Sequence, residues 1–426
     1  MKISFYTLGC RLNQSETASI RNSFEAGGYT VVGFEEPSDI AVINTCTVTE
    51  GGDADTRRLV HRVNRLNPKA RIALVGCQAQ VQKERLAALP NVRWIVGNQK
   101  KMDLVDVLRR YPDPVQAEVI TPTIERQPFT IAVSSVDDRH TRANIKVQDG
   151  CDFFCSFCEI PYARGRARSR VFEDIIKEAR VFVQAGRREI VLTGINIGTY
   201  SHEGKALMDV IAALEGISGI DRIRISSIEP TTIPLEMFGC MGQDKLCRYL
   251  HIPLQSGHDD VLSAMKRKYT TGEFSHFIRS AQAQVPQICI GTDVIVGFPG
   301  ETDAHFEATE AFLRQEPVHY FHVFSYSQRQ MAKSKDMGEV VAPQTINKRS
   351  QILRDLSQRK RRMFYGSLIG TTQVVLFEEQ KGGFWTGLTD NYVRVKVRSD
   401  TDLHNQLVPV RLEKMDGQGI QGEVVE

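Results

Sequence analysis

Cys151, Cys155 and Cys158 stand in the run Cys151-Asp152-Phe153-Phe154-Cys155-Ser156-Phe157-Cys158. This CxxxCxxC spacing constrains the chain more than any other feature. Three thiolates on one short loop hold three corners of a four-iron cluster and leave the fourth iron without a protein ligand. That iron can then bind a substrate or cofactor. Phe153, Phe154 and Phe157 would shield the cluster from water and tune its potential. The competing reading is structural zinc, which needs four closed ligands, often as two separated pairs. No fourth Cys or His lies close in sequence, so the cluster is preferred.

The surroundings of this loop suit a reduced, water-soluble protein. The apolar runs, such as that around Val191, are strand-sized and break at Gly or charged residues, so no membrane span is expected. The N-terminus begins a strand pattern directly at Met1-Lys2-Ile3-Ser4-Phe5, without the apolar core of a leader. The expected location is cytoplasmic. There the nine cysteines stay reduced, and clustered ones read as metal ligands rather than disulfides. A net charge of +3 is too small to indicate a nucleic-acid partner, so local clusters must carry that argument.

Strand-like stretches alternate from residue 1 to about 110 with helix-like ones, Gln80–Leu89 among them, which predicts a parallel sheet with helices on both faces. Residues from about 111 to 140 carry Pro112, Pro114, Pro122 and Pro128 and read as an irregular connection. Six further strand–helix units follow from Arg142, with candidate strands 143–148, 189–193, 221–226, 248–253, 290–296 and 319–326. They suggest an open or partial barrel whose functional face lies at the strand C-terminal ends. A polar helix from about Ile346 to Phe364 leads into short strands and turns that predict a small all-β barrel. The expected fold class is therefore α/β: an N-terminal parallel-sheet domain (1–120), a linker (121–140), a central partial (β/α)6 barrel (141–365) and a C-terminal β-barrel (366–426).

Cys10, Cys46 and Cys77 are far apart in sequence, yet each immediately follows a predicted parallel strand of the first domain. The C-terminal ends of parallel strands share one sheet edge, where open α/β folds build their sites. A second three-thiolate cluster is the natural inference. Any one of these cysteines, taken alone, would read as a small buried residue. Cys240, Cys247 and Cys289 lack such convergence and read as structural thiols.

The CxxxCxxC loop at the head of a strand–helix barrel resembles the radical S-adenosylmethionine (SAM) superfamily. Together with the three-cysteine first domain and the terminal barrel, the whole chain resembles the methylthiotransferase family. The terminal barrel is similar to the TRAM domain, an RNA-binding module. Supporting segments include Leu192-Thr193-Gly194-Ile195-Asn196, Ser226-Ser227-Ile228-Glu229-Pro230, Pro253-Leu254-Gln255-Ser256-Gly257 and Gly297-Phe298-Pro299-Gly300-Glu301-Thr302. The run Thr7-Leu8-Gly9-Cys10-Arg11-Leu12-Asn13 resembles the branch that acts on threonylcarbamoyladenosine in tRNA. The other branches act on isopentenyladenosine in tRNA or on an aspartate of a ribosomal protein.

The resemblance implies two [4Fe–4S] clusters and S-adenosyl-L-methionine as cofactors. The cluster at Cys151, Cys155 and Cys158 would cleave SAM to a radical that takes the hydrogen from adenine C2. The cluster at Cys10, Cys46 and Cys77 would carry the sulfur that a second SAM methylates. All six cysteines are thus expected to be metal ligands and catalytic. Glu229, Gln255 and the backbone of Thr193 and Gly194 would contact SAM. A tRNA substrate and a reducing donor such as a flavodoxin or ferredoxin are the implied partners, and the sulfur donor is left open. One departure concerns the family's Ser-Pro-Arg followed by Gly-Thr, which is Ser327-Gln328-Arg329-Gln330-Met331 here and predicts an altered loop. For RNA, the candidate contacts are Arg164, Arg166, Arg168 and Arg170, the run Arg359–Arg362, and Phe384, Trp385 and Tyr392. The rival readings are a radical SAM RNA methylase with one cluster and a non-catalytic RNA-binding iron–sulfur protein.

Overall fold

The structure is a computed structural model and describes residues 1–132 and 141–425. Its first unit is a six-stranded parallel sheet of β1 (Lys2–Thr7), β2 (Thr30–Val32), β3 (Ile40–Thr45), β4 (Arg71–Gly76), β5 (Val92–Val96) and β6 (Glu118–Ile120). The strand order is β2-β1-β3-β4-β5-β6. β3 is buried at every position and β4 at all but its first. Such strands have no polar face to offer water, so helices must cover both sides. The helices are α1 (Arg11–Ala26), α2 (Glu50–Leu66), α3 (Cys77–Val81), α4 (Lys83–Ala87) and α5 (Leu104–Arg110). On one face, Ile20, Phe24, Leu104 and Leu108 pack with Trp94. On the other, Leu59, Val63 and Leu86 pack with Ile43 and Leu74.

Two expectations need correction here. Part of the Pro-bounded connection after residue 111 is the edge strand β6, which pairs with β5 through Glu118, Val119 and Ile120. Three residues are too few to show alternation, and the free edge of β5 decides their pairing. The amphipathic stretch 80–89 is not one helix. It breaks at Gln82, whose side chain is drawn away to Thr47 Oγ1 and Asp53 Oδ2. Residues 133–140 of the expected linker lie outside the described residues.

The second unit begins with β7 (Ala143–Lys146), and β8 (Gln148–Asp149) and β9 (Arg168–Ser169) pair in the loop region that follows. Then come β10 (Glu189–Thr193), the small hairpin β11 (Ser201–His202) and β12 (Lys205–Ala206), β13 (Arg222–Ile225), β14 (Tyr249–His251), β15 (Cys289–Val296) and β16 (Tyr320–Ser325). Strands β7, β10 and β13 form one parallel sheet, and β14, β15 and β16 another. A single bridge between Ile223 and Leu246 joins them. No pairing among the described residues links β16 back to β7, so the barrel is partial and open on one side. The helices are α6 (Ile160–Arg164), α7 (Phe172–Gln184), α8 (Leu207–Glu215), α9 (Met237–Cys240), α10 (Asp259–Ala264), α11 (Thr271–Gln284), α12 (Asp303–Gln315) and α13 (Pro343–Ser367). Their apolar faces join the strands in the largest core of the molecule. Among the described residues no helix is long and apolar enough to cross a membrane.

The third unit is a closed barrel of β17 (Thr372–Lys381), β18 (Phe384–Thr389), β19 (Arg394–Val397), β20 (Leu407–Asp416) and β21 (Gly419–Val424). Trp385 packs in its core with Val375, Phe377 and Val395, which removes it from the candidate RNA contacts. Phe384 keeps partial exposure beneath Lys396 and Arg398.

Three arginines of the central unit hold the small barrel. Arg222 donates to the carbonyls of Leu388 (3.0 Å) and Val374 (2.6 Å). Arg224 donates to those of Asp390 (2.8 Å) and Thr389 (3.1 Å) and pairs with Glu189 (2.7 Å). Arg248 forms a two-pronged pair with Asp390 at 2.7 and 2.9 Å. Arg224 and Glu189 are both fully enclosed, so the loss of either charge strands the other. Arg224→Met is expected to destabilise the chain by about 3–5 kcal/mol, measured by denaturant unfolding; a midpoint equal to the parent's would show that the docking does not depend on this pair.

Candidate functional site

The sheet edge of the first unit collects Cys10, Cys46 and Cys77. Cys10 precedes α1 directly after β1, Cys46 follows β3, and Cys77 opens α3 after β4. Two glycines make the approach possible. Gly9 has φ +90°, and a Cβ on it would stand 2.8 Å from Cys46 Sγ. Gly76 has φ +99°. Only glycine adopts such backbone without strain. Burial and the neighbouring Cys77 thiol push Cys46 up to about 12, with Cys10 adding to the effect. Asn98 Nδ2 donates to Cys77 Sγ at 3.6 Å.

The second thiol set lies in the loop after β8. Its turn uses Gly150 (φ +72°) and Phe154 (φ +51°). Each sulfur receives one hydrogen-bond donor. The backbone N–H of Phe153 donates to Cys151 Sγ (3.5 Å), that of Ile160 to Cys158 Sγ (3.4 Å), and Arg267 Nη1 to Cys155 Sγ (3.1 Å). Burial raises Cys151 to about 11 and raises Cys158 further, with Cys155 beside it. Sulfurs that are close together, desolvated and faced by donors suit thiolate ligands of a shared metal cluster, which removes the thiol protons and spreads the charge. Phe157 packs with Phe298, Val261 and Met265 and closes one side of the loop. Phe154 stacks edge-on to Tyr162 beneath Arg166.

A buried ionic hub ties together the segments that carry the two thiol sets. Cys158 is followed almost at once by α6, which packs on the α3 helix that Cys77 opens. Glu16 of α1 is fully enclosed and meets Lys101, Lys146 (2.7 Å) and Arg164 (two contacts at 3.0 Å). Asp149 completes the hub through Lys146 (2.7 Å), Arg164 (3.0 Å) and Arg168 (3.1 Å). Arg164 also donates to Asn13 Oδ1 at 2.6 Å. A second link runs from Arg329 to Asp53 (2.6 Å), Thr47 (2.9 Å) and Glu159 (3.3 Å). The altered Ser327–Met331 segment therefore keeps its arginine as a buried pin. Its Gln328 and Gln330 point to solvent, so those departures do not disturb it.

This geometry corrects part of the sequence reading of the arginines. Arg164 and Arg170 are buried and fully committed, Arg170 to Asp174 and Glu178, so neither reaches RNA phosphate. Arg168 is nearly enclosed on Asp149. Arg166, Arg359 and Arg362 remain exposed.

Of the four residues expected to contact SAM, two lie near the loop. Glu229 pairs with Arg267, which in turn reaches Cys155. Gln255 (φ +72°) lines a cavity of about 170 Å³ with Val48, Thr49, Phe157, Asp293 and Phe324. Thr193 is enclosed, and its hydroxyl donates to the Ile145 carbonyl (3.1 Å), so the side chain is not free. Gly194 lies tight against Ile197 and Gln148. The sequence reading missed Glu16, Lys146 and Arg267. Arg267 sits in Lys266-Arg267-Lys268, which reads as a solvated charge run until the fold turns it inward. Cys247 and Cys289 are buried away from both thiol sets, as expected of structural thiols.

Burial alone would raise the pKa of Glu16, but Arg164, Lys101 and Lys146 overcome it and hold the carboxyl well below the ordinary carboxylate range. A depressed carboxyl stabilises the fold above its unfolded pKa, and that contribution is lost as pH falls through the folded value. Glu16→Gln is expected to cost about 3–5 kcal/mol at neutral pH. The loss should shrink on acidification below about pH 4. Urea unfolding at a series of pH values tests this; a cost that does not change with pH would contradict it.

Comparison with known proteins agrees with the arrangement. Residues 145–313 match the family model described as Radical SAM superfamily, and residues 2–97 match Uncharacterized protein family UPF0004. A threonylcarbamoyladenosine tRNA methylthiotransferase MtaB from Aquifex aeolicus is 37% identical over 93% of this chain and 96% of its own. The protein of that name from Bacillus subtilis is 36% identical over 97% and 94%. A tRNA-2-methylthio-N(6)-dimethylallyladenosine synthase from Cereibacter sphaeroides is 32% identical over 99% and 98%. Among solved structures, the radical S-adenosylmethionine methyltransferase TsrM from Kitasatospora setae shares the fold at TM-score 0.54 and 13% identity, over 76% of this chain and 74% of that one. With near-full-length relatives at this identity and a matched radical SAM region, the chain belongs to the radical SAM methylthiotransferase family.

Proposed function

We propose that this protein adds a methylthio group to C2 of threonylcarbamoyladenosine at position 37 of tRNA, next to the anticodon. The observation that carries the reading is a cavity lined by residues next to a cysteine of each thiol set. That cavity is walled by Val48 and Thr49, just after Cys46, and by Phe157, just before Cys158. A base held there can meet chemistry from both sides. The relatives named for threonylcarbamoyladenosine at 35–37% identity favour this substrate over the dimethylallyl one. The reaction would run in the cytoplasm.

Cys151, Cys155 and Cys158 would hold the [4Fe–4S] cluster and SAM that the radical SAM family implies, and Cys10, Cys46 and Cys77 a second one. When bound, these groups supply a carbon radical able to take hydrogen from an unactivated position and a sulfur that accepts a methyl group. The chain's own residues do the positioning. Arg267 donates to Cys155 Sγ and is anchored by Glu229, so the cluster loop is fixed against the barrel. Phe157 and Phe298 exclude water from one side of that loop. Arg164 and Lys101 place positive charge beside Cys77. Gln255 and Asp293 offer polar contacts within the cavity. Arg359, Arg362 and Phe384 are left free to meet RNA. A flavodoxin or ferredoxin would supply the electron.

The reconstituted protein, incubated anaerobically with SAM, a reductant and tRNA from cells lacking the enzyme, is expected to yield 2-methylthio-threonylcarbamoyladenosine by nucleoside mass spectrometry. A methylthio mass on isopentenyladenosine alone would overturn the substrate. Cys155→Ala should abolish both reductive SAM cleavage and product. Cys46→Ala should keep cleavage and lose sulfur insertion; normal product from Cys46→Ala would refute a sulfur-carrying triad.

A further inference from the structure

A second and larger cavity of about 610 Å³ lies where the open side of the partial barrel meets α13 and the C-terminal barrel. Its walls include Arg142, Tyr320, His322, Arg361, Tyr392 and Arg394. Arg361 lies over the Tyr320 ring at 5.1 Å and makes no ion pair or hydrogen bond among the described residues. Arg142 spends one nitrogen on Glu378 (2.7 Å), while its Nη1 is enclosed and lacks a partner among the described residues. Arg142 also lines a small adjoining pocket with Arg11, whose Nη2 donates to Tyr392 Oη at 2.7 Å. Glu378 is the one acid among the residues lining these two spaces. Four guanidinium groups thus face one carboxylate, and an enclosed donor without a partner is costly. The site asks for an anion.

The cavity lies next to the inner one. His322 lies on its wall and has its ring nitrogens within 4.8 Å of ligand atoms of Asp293 and His251. Asp293 lines the inner cavity beside Gln255 and Phe157. Phe324, two residues beyond His322 on β16, lines that inner cavity as well. The two cavities are therefore neighbours, with His322 on the wall of one and Asp293 and Phe324 on the wall of the other.

We infer that this cavity receives the carboxylate on the N6 arm of the target adenosine, with Arg361 and Arg142 as its receptors, so that charge selects the substrate. The inference rests on the function proposed above. A threonylcarbamoyl arm ends in a carboxylate, and a guanidinium fork matches that group with two parallel hydrogen bonds. An isopentenyl arm carries no charge and would leave the same cations desolvated and unpaired. Discrimination then comes from repelling the wrong arm as well as holding the right one. A tRNA phosphate offers the same anionic chemistry, and the test separates the two sources.

The test uses the reconstituted full chain and two tRNAs, one with the natural threonylcarbamoyl acid and one with that carboxylate converted to the primary amide. The wild type is expected to prefer the acid by about 30-fold or more in kcat/KM, since a site built around a polar group rejects an analogue that lacks it. Arg361→Gln and Arg142→Gln should each cut this preference to about threefold or less, mainly through the acid's KM. Arg361→Lys, which keeps the charge without the fork, should fall between. Arg362→Gln, one position along α13 and exposed, should lower both tRNAs alike and leave the preference intact. A wild type indifferent to the amide overturns the inference. So do Arg361→Gln and Arg142→Gln variants that weaken both tRNAs equally, which would assign the cavity to a backbone phosphate. Product on isopentenyladenosine alone, or no methylthio product on either tRNA, defeats the substrate reading itself and the inference with it.

Discussion

Glu16 carries the architecture. It is one carboxylate on α1, fully enclosed, and it meets Lys101 from its own unit and Lys146 and Arg164 from the central one. Coulomb attraction in a dry interior is strong, and so is the cost of leaving any partner alone. The hub therefore permits one relative placement of the sheet edge and the barrel mouth. Arg164 ends the short helix that starts just after Cys158, and Asn13, which it also holds, lies three residues after Cys10. The charges thus hold together the two segments that carry the thiol triads. Arg329 repeats the device with Thr47, one residue after Cys46, and Glu159, one residue after Cys158.

Charge does three different jobs along this chain, and position in the fold decides which. Arg222, Arg224 and Arg248 give their hydrogens to backbone carbonyls and to Asp390 and so fasten the small barrel. Arg164, Arg170 and Arg329 are spent on buried carboxylates. Arg361 and Arg394 are left over, facing a cavity without an acid to match them. A net charge of +3 conceals this division entirely.

Much of the fold was legible because its signals are local and periodic. The six barrel strands emerged close to their expected limits, since strands buried on both faces read as continuous apolar runs between helical patterns. α11 was readable too, from Phe274, Phe277, Ile278 and Ala281 on one face. β6 was not readable, because its three residues gain their pairing from the free edge of β5. The break at Gln82 depends on Thr47 and Asp53, which no local pattern connects to it. At the site, Glu229 and Gln255 lie beside the cluster loop.

The sequence by itself determined the chemistry that fits within a few residues. CxxxCxxC brings its three sulfurs into one small space, because they lie so close along the chain. It also determined that Cys10, Cys46 and Cys77 stand at ends of parallel strands, since strand ends are marked by the apolar runs before them. Only the tertiary structure decided which charges are buried, which are paired and which remain to bind something. Burial and pairing depend on segments more than a hundred residues apart, such as Glu16 with Arg164 and Arg222 with Leu388. Side-chain type does not carry that information, so an arginine that fastens a domain and one that awaits an anion look alike until the chain is folded.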